Sequence, residues 1–426
     1  MIQEEFLYYI WSYYLQGKRF TTVEGNAVVI ENAGSRNVNS GPDFFNARVK
    51  IDEILWVGNV EIHSSSSEWF KHKHHFDEAY DNIVLHVVYE YDLPVYRHDG
   101  SLIPCIQLKG SIDDGLYQVY QKFLLSKQWI ACAADISKVN HFTVFNLLQR
   151  LSVERMEEKA KAIKEKLVNN NGDFQEVFYR TLMRAYGFGV NSDACEQLAL
   201  SLPYQILLKH KNDLLQLEAL LLGQSGLLPH KTKETYVQQL IAEYNFLSGK
   251  YGLKPMSSSV WKFMRLRPSN FPTLRMAQLA QLIYRTSGLL HSILTTEDMK
   301  AVSDLFTART SGFWNNHYSL KKSHKFRPKR MGSESVYSLF INTIIPFVFV
   351  YGDNIGDPDL KEKALNWLAK IPAEHNHVVH NFNKIGVYVQ HAAQSQGMLQ
   401  LKSNYCDRKR CLECSIGHAL IQSSSI

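Results

Sequence analysis

The stretch GPDFFNARVKIDEILWVGNVEIHSSSSEW, residues 41–69, decides how the first part of this chain folds. Residues 43–51 alternate apolar and polar side chains, the pattern of a half-buried strand. Asp52-Glu53 make a tight reversal, and residues 54–63 return as a second strand, so the pattern predicts a β-hairpin. Strand side chains alternate with a period of two, which puts Glu61 and His63 on one face. A hairpin that turns at Asp52-Glu53 brings Asp43 close to Glu61. Two carboxylates at one end of a sheet suit a hard divalent cation, because magnesium takes one or two carboxylates and keeps waters and phosphate oxygens as its other ligands. Such an ion can polarise a phosphodiester and acidify an attacking water.

Outward from the hairpin, residues 3–16 read as a helix, with Phe6, Ile10, Tyr13 and Tyr14 at helical spacing. Residues 26–30 read as a short strand, and the Gly/Asn/Ser-rich run 34–41 as a turn. A short helical piece is predicted near 76–81, a buried strand over 82–91 and an edge strand within 94–110. From about residue 140 the period becomes helical. Residues 142–167 carry Phe145, Leu148, Leu151, Val153, Met156 and Ile163 among charged residues, and helical segments with short breaks continue to residue 400. The expected class is α+β: an α/β domain over 1–125, a mostly α-helical region over 140–400, and a cysteine-rich segment over 401–426.

The 426 residues suggest two or three domains. With 45% hydrophobic and 21% charged residues the composition excludes a disordered chain. The net charge of +6 leans weakly toward a polyanionic partner. The start, MIQEEFLYYIWSYYLQGKRF, has Glu4 and Glu5 where a secretory leader needs cations. The apolar run 341–351 is far short of the roughly 20 residues that span a bilayer. These features place the chain in the cytoplasm, with no membrane partner.

Gly41-Pro42-Asp43 followed by Glu61-Ile62-His63 resembles the PD-(D/E)XK nuclease signature, in which a Pro-Asp pair and a Glu-x-Lys tripeptide occupy adjacent hairpin strands. A helix precedes them in that superfamily, and a helix and a strand follow. The order of elements over roughly residues 1–110 matches. The resemblance implies a restriction-endonuclease-like domain that hydrolyses phosphodiester bonds in DNA or RNA, with Mg²⁺ or Mn²⁺ on Asp43 and Glu61 and assistance from Glu4 or Glu5. The lysine position holds His63. A neutral imidazole can act as base or ligand, and Lys71 or Lys73 could supply the missing charge. Asp43, Glu61, His63 and Lys71 are therefore the expected catalytic set.

Other features bear on partners and metals. His63, His72, His74, His75, His86 and His98 fall within 36 residues. Most read as a solvated loop, but His63, His75 and His86 could serve a metallohydrolase of a small molecule, with zinc, iron or manganese. Ser64 to Ser67 could offer donors to an anion. Near the end, Cys406, Cys411 and Cys414 have the spacing C-x4-C-x2-C, with His418 four positions on. That set suits Zn²⁺ as Cys₃His, with Cys105, Cys132 or Cys195 as other candidates for the fourth ligand. The spacing is also similar to the cysteine clusters of some DNA-repair glycosylases and iron–sulfur nucleases; zinc is ranked ahead of an iron–sulfur cluster. Arg265 and Arg267 lie among aromatics, and Lys325, Arg327, Lys329 and Arg330 lie in a basic loop, as in surfaces that track phosphates. A non-catalytic nucleic-acid-binding protein is thus the competing reading. Finally, the phrases GPDFFNARV, GNVEIHSSSSEW, LHVVYEYD, LGQSGLL, RLRPSNFPTLRMAQLA, INTIIPF and YC-x4-CLEC-x-IG resemble DUF2851, a bacterial family of unknown function.

Overall fold

The computed structural model describes residues 2–286 and 288–423. The chain divides into two compact units: unit 1 runs to Leu147 and takes in the chain again from Leu401, and unit 2 is Leu148–Gln400. The cysteine-rich tail, which composition set apart, thus belongs with the N-terminal unit.

Unit 1 begins with helix α1 (Glu4–Tyr13), which buries Phe6, Leu7, Tyr9, Ile10 and Trp11. Trp11 Nε1 donates to the carbonyl of Ala33 at 2.9 Å, which ties the helix to the sheet strands that follow. The strands are β1 (Arg19–Thr21), β2 (Ala27–Asn32), β3 (Ser35–Arg36), β4 (Phe44–Ile51), β5 (Ile54–Ser65), β6 (Ile83–Glu90) and β7 (Cys105–Gln107). They form one sheet in the order β1-β2-β4-β5-β6-β7, with β3 beside β4. The amide of Val23 donates to the carbonyl of Cys105 at 2.9 Å, so the sheet nearly closes on itself. Strands β4 and β5 are the predicted antiparallel hairpin, whereas β6 runs parallel to β5 and β7 parallel to β6. Residues 83–88 are all buried, which explains why this part of β6 is apolar apart from His86. Between β5 and β6 lies helix α2 (Glu68–Lys71), and the unit continues through α3 (Asp114–Leu125) to the start of the long helix α4 (His141–Val168).

One irregularity aims the site. The hairpin pairs in register from Ile51↔Ile54 to Ala47↔Gly58, then shifts, so that Phe44 faces Val60. The extra residue is a β-bulge, with Asn46 in the left-handed region at φ 57°. Phe45 and Asn46 are both exposed, while Phe44 and Ala47 are both buried. The bulge therefore reverses the phase of alternation just before Asp43.

Unit 2 is helical, with a core that includes Leu182, Leu220, Met276, Trp314, Phe340 and Trp367. Its apolar run corrects a sequence expectation. It is embedded in a continuous helical stretch, Ser333–Ile355, whose 23 residues are long and apolar enough to cross a membrane. About two-thirds of its apolar window (67%) is buried inside the protein, with Leu339, Ile344, Phe347 and Val348 fully enclosed, so it packs as the unit's core helix. A π-turn at Phe340–Ile344 precedes Pro346, whose ring cannot join a regular hydrogen-bond ladder.

Candidate metal centre

Three carboxylates converge on one side of the sheet in unit 1. Asp43 sits one residue before β4, and its backbone amide donates to Glu61 Oε2 at 3.1 Å. In return Asp43 Oδ2 accepts from the amide of Ile62 at 2.9 Å. The third carboxylate is Glu4, in the first turn of α1, which is close enough to interact electrostatically with both Asp43 and Glu61. One turn further along α1, Tyr8 donates its hydroxyl to Asp43. Of the two glutamates considered on this helix, Glu4 faces the site and Glu5 is exposed.

Histidines complete the wall. Glu61, His63 and His86 share one sheet face, because Glu61 pairs with His86 and His63 lies two residues along. His63 Nδ1 is 2.9 Å from His86 Nε2, and its Nε2 is 3.5 Å from Glu61 Oε1. From the loop after α2, His72 Nδ1 approaches His63 Nε2 at 3.2 Å. His74 Nε2 reaches 3.2 Å from Glu61 Oε1, but off the line that a hydrogen bond needs, so this buried nitrogen has no hydrogen-bond partner. One ring nitrogen each of His63, His72 and His74 lies within 4.8 Å of the others, a spacing that can hold a metal ion. Lys73 lets the loop bring His72 and His74 to the same side, by adopting a left-handed conformation at φ 64° between them. Tyr80 stacks on the His74 ring at 3.9 Å, and Trp69 packs edge-on against it.

The electrostatics are those of a site that lacks a positive charge. Burial, then repulsion among the carboxylates, pushes Asp43 up to about 7, Glu61 to about 8 and Glu4 to about 7. Burial, then repulsion from the neighbouring imidazoles, pushes His63 down to about 2 and His86 to about 3. These two rings are therefore neutral, as metal ligands and their orienting partners must be. A divalent cation would offset both costs at once. It would favour the ionised carboxylates and use the imidazole lone pairs. The donor set fits such an ion, and its nitrogens favour manganese or zinc over magnesium.

Several expected contributors stand elsewhere. His75 packs against Phe70 and Phe76, and His98 is exposed in a separate turn. Much of the serine run is bonded within the protein. Glu68 accepts from the Ser64 amide, and Asp92 accepts from the Ser66 hydroxyl and the Ser67 amide. Lys71 is exposed at the end of α2, and its charge acts favourably on Glu4. His72 and His74 could have been singled out because they flank one residue, but nothing in the pattern marks Lys73 as left-handed.

The family model described as "Protein of unknown function (DUF2851)" matches residues 4–377. The chain belongs to this family. The DUF2851 match takes in Glu4, the hairpin and the histidine loop, and ends before the terminal cysteines. No curated protein and no solved structure matches the chain.

The terminal cysteines and the basic residues form separate arrangements. Cys406, Cys411 and Cys414 line one small cavity in unit 1 together with Cys132. His418 is directed away from it, with its ring edge-on to Tyr9 and Tyr13 at 5.3 and 4.9 Å. In unit 2, Arg265 and Arg267 are exposed on the loop between Phe263 and Phe271. Those two aromatics, with Leu227, His230 and Lys321, line a cleft of about 510 Å³. Lys325, Arg327 and Arg330 are exposed, but Lys329 is buried. Its ammonium donates to the carbonyl of Arg327 and lies over the Tyr318 ring, so it holds the loop together and cannot meet a phosphate. Arg275 is likewise internal, bonded to Asn270, Gln278 and Ser335.

Proposed function

We propose that unit 1 is a metal-dependent phosphodiesterase acting on DNA or RNA, with Glu4, Asp43 and Glu61 as the anionic ligands and His63 and His74 beside them. The observation that carries this reading is the convergence of one buried and two half-buried carboxylates, from α1, the residue before β4, and β5, on one group of histidines. The order helix, antiparallel hairpin, helix, parallel strand supports a nuclease-like fold for this unit. When bound, a divalent ion supplies Lewis acidity and an activated water. The chain's own residues do the rest. Asp43 and Glu61 fix each other through backbone amides, and His86 orients His63. Lys71 provides the permanent cation that His63 cannot, at the mouth of the site beside Glu4. The exposed arginines and the aromatic-lined cleft of unit 2 offer a surface for a polyanion. The same reading places the protein in the cytoplasm, where its six free thiols stay reduced.

The test is cleavage of single- and double-stranded DNA and RNA with Mn²⁺ and with Mg²⁺. Asp43→Asn and Glu61→Gln should each lower the rate by at least about 100-fold. Lys71→Ala should lower kcat while leaving Mn²⁺ affinity within a few-fold. Equal cleavage by wild type and both carboxylate variants removes the proposal. Salt-sensitive binding without turnover would favour the non-catalytic reading. The His63–His72–His74 group favours a second reading, a transition-metal hydrolase of a small molecule. That reading requires metal binding with no affinity for any polynucleotide.

A further inference from the structure

We infer that Cys132, Cys406, Cys411 and Cys414 form a four-thiolate site for a single zinc ion, which fastens the C-terminal segment to the stretch after α3. The three terminal cysteines alone lack a fourth donor, and the fold supplies it from about 270 residues upstream. All four line the same cavity, walled by Phe123, Tyr405 and Gly417. None is in a disulfide. Four sulfur donors select a soft or borderline ion, and tetrahedral zinc accepts them as a closed structural site.

The local backbone is arranged around the thiols. Cys406 ends a π-helical turn, Leu401–Cys406, and Cys411 begins a 3₁₀ turn that Cys414 caps, the C-x2-C knuckle typical of zinc. The chain between them reverses at Lys409, at φ 55°. The ammonium of Lys409 donates to the carbonyls of Phe123 at 3.2 Å and Ser126 at 2.7 Å, which pins this loop to the end of α3. Opposite, the carbonyl of Cys132 accepts from the amides of Asp135 and Ile136 and fixes the turn that presents its side chain. Gly417 is needed for the close fit, since a Cβ there would lie 2.1 Å from the carbonyl of Cys411.

Cavity size separates one ion from a cluster. The space is about 20 Å³, little more than one water-sized particle needs. That size favours a single ion over an eight-atom iron–sulfur cube. The site is independent of the carboxylate centre and stands or falls apart from the proposed activity.

The experiment is metal analysis of the purified full-length protein, in a Glu61→Gln, His72→Ala, His74→Ala background that strips both carboxylate and imidazole donors from the other centre. One zinc per chain is expected, and EXAFS should give a first shell of four sulfurs at about 2.3 Å. Cys132→Ser should lose that zinc, and His418→Ala should keep it. If the cysteine variant does not fold, cobalt loaded into the parent protein gives the same answer. Intense thiolate-to-cobalt charge-transfer bands with tetrahedral d–d bands are expected. A first shell containing nitrogen, retention of zinc by Cys132→Ser, or a brown protein carrying several irons would each overturn the assignment.

Discussion

Asp43 and Glu61 hold each other through backbone amides: the Asp43 amide donates to Glu61 Oε2 at 3.1 Å, and Asp43 Oδ2 accepts from the amide next to Glu61 at 2.9 Å. The two carboxylates are thus fixed without a counter-charge between them. That is an expensive arrangement in a buried site unless a cation completes it.

The cost can be read in the metal-free protein. A carboxyl group whose folded pKa is raised binds its proton more tightly in the native state, so its stabilising contribution is present below the unfolded value and is lost as pH rises through the folded value. That window runs from 3.8 to about 7 for Asp43, from 4.5 to about 7 for Glu4 and from 4.5 to about 8 for Glu61. After chelation, Glu61→Gln should therefore be more stable than wild type at pH 8, by about 1 kcal/mol or more, and equal to it near pH 4. Denaturant titration at the two pH values checks this; a variant less stable at pH 8 would show that Glu61 serves the fold and not an ion.

The hairpin, the buried strand β6 and the helical second half were legible because each rests on periodicity, which sequence displays directly. Glu61 and His63 sharing a face followed from the same rule. The bulge at Asn46 was not legible, since a single left-handed residue leaves no periodic trace. Glu4 could be narrowed only to a pair until α1 had a defined rotation against the sheet. Lys329 read as a surface cation because charge suggests exposure, yet the Tyr318 ring and nearby carbonyls hold it inside. Cys132 was one of four possible partners for the terminal cysteines, and only the tertiary fold selects it.

The bulge makes its own prediction. Asn46 tolerates the left-handed region, which a β-branched residue does not. Asn46→Val should cost about 1–2 kcal/mol and weaken Mn²⁺ binding by disturbing Asp43, whereas Asn46→Gly should keep both properties. Thermal melts with and without Mn²⁺ would measure this, and a valine variant indistinguishable from wild type would mean that the strand pairs without the bulge.

Unit 2 carries a separate pH dependence. Glu218 is fully buried and accepts hydrogen bonds from Trp314 Nε1 at 2.8 Å and the Tyr236 hydroxyl at 2.9 Å. Burial pushes its carboxyl up to about 7. By the same linkage, its contribution is intact below about 4.5 and is lost as pH climbs to about 7. Glu218→Gln keeps both acceptor contacts and removes the titration. Hydrogen exchange across Leu214–Gln224 should slow less steeply with acidification in the variant, after correction for intrinsic rates. Identical profiles in the two proteins would place the proton elsewhere.

The central claim is that Glu4, Asp43, Glu61 and the adjoining imidazoles share one divalent cation, and calorimetric titration of chelated protein with Mn²⁺ tests it most directly. Wild type should bind one Mn²⁺ at this centre and gain about 2.7 kcal/mol of stability at a hundredfold excess over Kd. Glu61→Gln should lose at least tenfold in affinity, and His74→Ala should lose more for Mn²⁺ than for Mg²⁺. Unchanged Mn²⁺ affinity in Glu61→Gln, or no binding to wild type, would contradict the account.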